Sequence, residues 1–425
     1  MKQSSGITRR DLLRATSMAF VLPKLFAQSM HADAGAADDE EFWARVRDLF
    51  PIDPNVIQLN NAAIGSTPTH VLEAAKHYGD MLVSQPSHFY YDEQEDYIER
   101  VRSQLAVFFG CDAEELAVTR NASEGLHNVI FGLDLKPGDE VLTTTQDYPS
   151  MRDSLQQRAA REGIILKTFS FPSPPASESD LYDRFEKEVT PRTRVLLISQ
   201  MTWTTGQIFP VRRLCEMAAT RGIQTIVDGA QSFGHIPVRR DDLKCDYFAT
   251  SLHKFFSAPL GTGFLYVRRD RVERLWPLMG SSPQLKNSIR KFDNLGPGTI
   301  PIHLRNAIPE AISFNESLNV ARKAERLRYL RRRWMNRLNN VPGVKLLNSD
   351  DPSQSCGTAA FIPGSWDVQR FVQVLQRQHQ IQVRTRGVAG EFTAVRVSPN
   401  VFTAAAEIDR FSEVAEQLIP RGEKP

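Results

Sequence analysis

The chain has 425 residues, 41% hydrophobic and 24% charged, with a formal net charge of +2. Those fractions are ordinary for a folded globular chain, and so small a charge gives no ground for a nucleic-acid partner. The length exceeds one typical core, so two domains are expected.

The first 34 residues read as an address. Thr8-Arg9-Arg10-Asp11-Leu12-Leu13 precedes a modest apolar stretch, Ala15 to Phe26, interrupted by Pro23 and Lys24. Ala32-Asp33-Ala34 then offers a small-residue cleavage site. A basic segment, a short apolar segment and an A-x-A end, in that order, make a signal peptide too short to span a membrane. A chance Arg-Arg before an ordinary helix does not account for all three parts. The paired arginines point to the twin-arginine export machinery. The expectation is a periplasmic protein starting near Gly35, with no membrane span.

Ala36 to Phe50 predicts a helix with Phe42, Val46, Leu49 and Phe50 on one side. Ile57 to Ala63 predicts a short strand running into an Asn-rich turn. Thr69 to Phe109 predicts helices around a loop, Gln85 to His88. Glu115 to Thr119 predicts a strand, and Leu126 to Phe131 a helix reached through Arg120-Asn121-Ala122-Ser123-Glu124-Gly125. A strand feeding a helix through small polar residues presents free N–H groups to an anion. Taken alone, Ser123-Glu124 is a helix cap and no more. Glu140 to Thr145 predicts the next strand, ending in Gln146-Asp147-Tyr148-Pro149-Ser150. Val195 to Ser199 predicts another, followed by Gln200-Met201-Thr202-Trp203.

Three short apolar runs follow: Thr225-Ile226-Val227, Tyr247 to Thr250, and Gly263 to Val267. Bounded by turn residues, they read as buried strands. The first ends at Asp228 and the second in Ser251-Leu252-His253-Lys254. From Ala311 a long helical pattern leads into a C-terminal domain. The basic run Arg322 to Arg337 carries Leu327, Leu330, Trp334 and Leu338 at helical spacing, which predicts an amphipathic helix with a solvated basic face. Strands at Val344 to Leu347 and Ala359 to Ile362 then alternate with helices at Asp367 to Gln378 and Ala406 to Leu418. Four scattered cysteines, Cys111, Cys215, Cys245 and Cys356, have no C-x-x-C spacing and imply neither a disulfide framework nor a metal site. No internal repeat is found.

Side chains at strand ends face the crevice where open α/β sheets bind ligands. One acid and one lysine at two such ends fit the needs of pyridoxal 5'-phosphate (PLP): a Schiff-base lysine, and a carboxylate that keeps the pyridine nitrogen protonated. Separately, Asp228 is a turn acid and Lys254 a surface lysine. Together with Gln231 and the Ser-x-His-Lys tetrad, they read as Lys254 for the Schiff base and Asp228 for the ring nitrogen.

On Asp228-x-x-Gln231 and Ser251-x-His253-Lys254 the chain resembles the class V aminotransferase family, more weakly from about Ile57 to the C-terminal region. That resemblance implies a fold-type I α/β architecture. A large domain with a mostly parallel mixed sheet flanked by helices (35–310) is followed by a smaller α+β C-terminal domain (311–425). It implies that Ala122, Ser123, Ser251 and His253 hold the cofactor phosphate. Gln231 and Thr202 would hold the ring 3-hydroxyl, and Tyr148 would stack on the ring. Thr299, in the loop Asn294 to Pro301, would reach the phosphate of a neighbouring subunit, so a homodimer is expected. Arg396 would fork onto the substrate carboxylate, with Arg384 and Arg386 as rivals, and Asn61, with Ala62, would lie beside the substrate.

The expected activity is chemistry at the α-carbon of a free amino acid or peptide amine. The family's desulfurases carry histidine where Tyr148 stands and a nucleophilic cysteine in a loop near the carboxylate arginine. Gly387 to Phe392 has none, and Cys356 reads as a small buried hydrophobe. The resemblance therefore leans to the isopenicillin-N-epimerase-like branch. An exported member suggests maturation of a peptide siderophore (pyoverdine) at its glutamyl residue. The rival of another kind is a non-catalytic scaffold that kept the fold.

Overall fold

The computed structural model describes residues 35–293 and 298–422. Residues 1–34, expected to be an export signal, and Asn294 to Pro297 of the Gly/Pro loop lie outside the described residues. Helix α1 (Glu40–Arg47) is capped by the Asp39 carboxylate, which accepts from the Phe42 N–H. After strand β1 (Ile57–Gln58) come α2 (Thr69–Ser84) and α3 (Gln94–Phe109). Between these helices His88–Glu93 forms a π-helical turn, which begins at the last residue of the predicted loop. The large domain continues as β2 (Leu116–Thr119), α4 (Ala122–Gly132), β3 (Glu140–Thr144), α5 (Pro149–Glu162), β4 (Ile165–Phe169), α6 (Glu178–Glu188), β5 (Thr193–Ser199), α7 (Val211–Thr220), β6 (Gln224–Asp228), β7 (Tyr247–Ser251) and β8 (Gly263–Val267).

These strands form one seven-stranded sheet in the order β2-β8-β7-β6-β5-β3-β4. It is parallel from β7 to β4, while β8 runs antiparallel to both its neighbours. Its central strands are buried on both faces, which is why they read as unbroken apolar runs. Alternate residues feed two cores. Leu196 and Ile198 of β5 pack with Val227 and Phe248 on one side; Val195 and Leu197 pack with Ile226 and Ala249 on the other. The edge strand β4 is mostly half-exposed, so its sequence lacks such a run.

The helical pattern from Ala311 is broken by Asn319, whose φ is 60°, into α8 (Ile308–Leu318) and α9 (Val320–Leu338). The passage between domains lies in these helices. Ala311, Ile312, Ala324 and Leu327 belong to the large core, and Leu330 and Trp334 to the small one. Strands β9 (Val344–Leu346) and β10 (Ala359–Pro363), helix α10 (Val368–His379), strands β11 (Ile381–Gln382), β12 (Arg384–Val388) and β13 (Phe392–Val397), and helix α11 (Ala405–Leu418) complete the chain. The small sheet is antiparallel, in the order β12-β13-β10-β9. β1 pairs in parallel with β11, so the segment entering the large domain is tied to the small one.

The solvated basic face expected for α9 is not what forms. Leu327, Leu330, Trp334 and Leu338 are buried as predicted, but so are Lys323, Arg326 and Arg331. Lys323 Nζ donates to Phe255 O at 2.9 Å and to Asn315 Oδ1, Arg326 to Thr403 O and the Glu40 carboxylate, and Arg331 to Ser349 O. Arg333 and Arg337 form two-pronged pairs with Asp409 and Glu416 of α11. Carbonyls and acids supplied from remote parts of the chain make burial of these cations tolerable.

Candidate active site

A cavity of about 220 Å3 opens at the C-terminal ends of β5, β6 and β7. Asp228 and Lys254 line it together, with Ala122, Ser123, Tyr148, Trp203, Gln231, Ser251 and His253. Asp228 ends β6, and its Oδ1 accepts from the Ala230 N–H at 2.8 Å. Lys254 lies three residues beyond β7, in a turn held from outside. The Gly65 N–H donates to His253 O at 2.9 Å. A Cβ on Gly65 would sit 2.1 Å from Lys254 O, so only glycine allows this approach.

At the other end of the cavity stands the N-terminus of α4. Asn121 caps it, its Oδ1 accepting from the Glu124 N–H at 2.9 Å. The Ala122 N–H donates to Ser251 Oγ at 3.0 Å, which joins the helix to the end of β7 and leaves the Ser251 proton free to donate. A Cβ on Gly263 would lie 2.7 Å from Asn121 Cα, so β8 can approach this cap only as glycine. Hydroxyls, a helix N-terminus and an imidazole thus converge where an anion is welcome.

Electrostatics divide the site. Burial raises the Asp228 carboxyl above its usual range, against the pull of the Ala230 N–H and of Lys254. Behind it, Asp147 accepts from Thr143 Oγ1 and Ser199 Oγ, each at 3.1 Å, and from the Tyr148 N–H at 2.8 Å. Burial, and then the Asp228 charge, push Asp147 to about 7. A cation beside Asp228 supplies the countercharge that favours its ionised form. Burial lowers Lys254 to about 8; Asp228 opposes this, while Arg396 and Arg386 add to it. Burial and Lys254 also hold His253 down, to about 4. With its Nδ1 against Thr262 O at 3.3 Å, His253 presents Nε2, and a bound phosphate would favour the imidazolium.

The lysine value gives a direct expectation. In cofactor-free protein, the rate at which an amine-acylating reagent labels Lys254 should rise with pH and reach half its maximum near pH 8, because only the neutral amine reacts. Peptide mass analysis reads it. Asp228→Asn should move the midpoint lower by removing the charge that favours the ammonium. A midpoint near the ordinary 10.5 would contradict the burial argument.

Not every expected residue reaches the cavity. The Thr202 hydroxyl pairs with Thr205 Oγ1 and accepts from the Gln207 N–H, both at 3.0 Å. It shapes a buried turn, and its neighbours Met201 and Trp203 form the wall instead. The Asn61 amide donates to Gln58 O and Ser398 O, so Asn61 ties the N-terminal segment to β13. Its neighbour Asn60 accepts from Arg396 Nη2 through Oδ1 at 2.8 Å. Arg396 Nη1 donates to Trp203 O at 2.6 Å, so Arg396 stands just behind the wall. Thr299 is exposed and outside the cavity of its own chain. Asn121 and Ser199 also line the cavity; Asn121 carries the sequence signal of an N-cap, and Ser199, at the end of β5, carries none.

The residues present fit PLP. An acid for the ring nitrogen, a lysine with a lowered pKa and an anion cradle share one cavity, and Gln231 adds a buried Oε1 without a partner. Asp228, Gln231, Tyr148 and Lys254 would hold the ring, and Ala122, Ser123, Ser251 and His253 the phosphate.

Residues 57–411 match the family model described as aminotransferase class-V. The chain is 30% identical over 395 residues to the isopenicillin N epimerase of Streptomyces clavuligerus, covering 88% of this chain and 98% of that one. It is 29% identical over 292 residues to a probable cysteine desulfurase of Synechocystis, covering 65% and 68%. A solved structure of a C-DES variant with glycine linked covalently to its PLP cofactor superposes with a TM-score of 0.76 at 24% identity, over 87% of this chain and 98% of that one. That likeness shows the fold, the fold-type I architecture expected above.

Proposed function

The chain belongs to the class V aminotransferase family of PLP-dependent enzymes, and we propose that it acts at the α-carbon of an amino acid or peptide amine in the manner of an epimerase. The observation that carries this reading is that Asp228 and Lys254 meet in one cavity with an anion cradle opposite. PLP bound there supplies an electron sink for the bond broken at the α-carbon. Asp228 would hold its charge against the ring nitrogen of that group. Tyr148, 40% exposed and edge-on to Trp203 at 5.7 Å, stands where it can fix the tilt of a flat ring. Lys254 takes the α-proton from one face; with a pKa of about 8 it is near the balance point that general acid–base work requires.

Two observations favour epimerase-like chemistry over desulfuration. No cysteine is among the residues that line the cavity. Cys356 is buried against His235 O and Ala324 O, and burial pushes its thiol up to about 11. The test is the absorbance of the PLP-loaded protein against a panel of free amino acids and peptide amines. A change in the visible band, with loss of α-deuterium and no sulfide release, is expected. Sulfide release from cysteine would contradict the reading, and a protein that stays colourless with added PLP would favour the scaffold.

The reading extends to a periplasmic homodimer exported by the twin-arginine route, with Thr299 of each copy serving the other's phosphate site. Its furthest form is modification of the glutamyl residue of a peptide siderophore. That form fails if a deletion strain makes the siderophore with an unchanged mass.

A further inference from the structure

Three arginines share one face of the small sheet beside the cavity, and none has an acid. Arg384 of β12 stands directly opposite Arg396 of β13 in the antiparallel register. Arg386 is two residues along β12 and therefore on the same face. Like charges placed directly opposite on a sheet repel. Several other buried or half-buried arginines pair with acids: Arg47 with Glu407, Arg102 with Asp293, Arg290 with Glu99 and Glu114. Among the described residues, no carboxylate lies within ion-pair distance of any of these three.

What two of the three touch leads to the cavity. Arg396, 1% exposed, donates to Trp203 O and Asn60 Oδ1, and its Nε is buried without a partner. The Arg386 guanidinium lies 5.3 Å from the centre of the Trp203 ring and donates only to its neighbour's carbonyl, Thr385 O. Its Nε is also buried and unpartnered. Trp203 is the cavity wall. Burial lowers the pKa of both groups, and the mutual repulsion lowers them further. The hairpin that carries them is fixed to the large domain, where Thr145 Oγ1 donates to Glu391 Oε1.

A repelling trio held at a cavity wall without internal acids is an anion site with more positive charge than one carboxylate neutralises. We propose that the substrate amine carries two carboxylates. Arg396 takes the one nearer the reacting carbon, and Arg386, assisted by Arg384 at the rim, takes the distal one. Arg386 is thus a specificity-determining residue. The amine in this proposal rests on the PLP reading above; the anion site does not.

The test uses the full chain loaded with PLP and reads equilibrium binding by calorimetry rather than turnover. The probes lack an amine: glutarate, pentanoate and inorganic phosphate. Glutarate should bind at least about tenfold more tightly than pentanoate, the loss expected when one charge-assisted pair is missing. Arg386→Gln should remove most of that ratio while leaving pentanoate within about twofold. Arg384→Gln, at an exposed position, should reduce the ratio in a chain whose buried wall is untouched. Equal binding of glutarate and pentanoate overturns the proposal, as does a ratio that survives both substitutions. Phosphate binding that depends on Arg386 and exceeds glutarate binding overturns it in favour of a phosphorylated ligand. Failure of the PLP reading shows separately, as a protein that takes up no PLP while glutarate still discriminates.

Discussion

Lys254→Ala is expected to lower turnover by about 10^2- to 10^4-fold, the range associated with a positioned acid–base group. It should also remove the visible absorbance of the PLP-loaded protein. The two effects have one cause, because Lys254 is the only lysine among the residues that line the cavity. The buried lysines elsewhere are held by carbonyls: Lys323 Nζ donates to Phe255 O and Lys291 Nζ to Val272 O. A small added amine should restore part of the proton transfer but not the covalent attachment. Full turnover in the substituted protein would show that the α-proton travels by another group.

Asp228→Asn is expected to cost about 10^3-fold in kcat. Opposite charges about 4 Å apart at an effective dielectric of about 20 attract by about 4 kcal/mol, and each 1.36 kcal/mol is a factor of ten in rate. The amide keeps the shape and the contact with the Ala230 N–H is still possible, so PLP should still bind. The loss should therefore fall on kcat more than on KM. Asp147→Asn is the contrasting change. Asp147 is held near neutrality by burial and by Asp228, so removing its charge should raise rather than lower the ionised share of Asp228. A wild-type kcat for Asp228→Asn would mean that the carboxylate does not sustain the ring charge.

Why were some parts of this site legible in the sequence and others not? Asp228, Ser251, His253 and Lys254 follow apolar runs, and runs buried on both sheet faces are visible as such; β6 and β7 proved to be adjacent parallel strands. The α4 cradle was visible through its strand–turn–helix pattern. Orientation was not visible. Thr202 and Asn61 are one residue away from groups that do face the cavity or Arg396, and a turn decides which of two neighbours points in. The arginine face was hidden for a related reason. Arg384 and Arg396 are brought opposite by register alone, and β12 has too few apolar residues to announce a strand. Likewise the buried cations of α9 depend on acceptors such as Thr403 O and Phe255 O, which spacing along one helix does not reveal.

The most direct measurement fixes the covalent partner. The PLP-loaded protein is treated with borohydride and digested, and the peptides are weighed. One pyridoxyl group on Lys254, lost in Lys254→Ala and retained in Asp228→Asn, is the expected result. A pyridoxyl group on another lysine, or none at all, would contradict the assignment of this cavity.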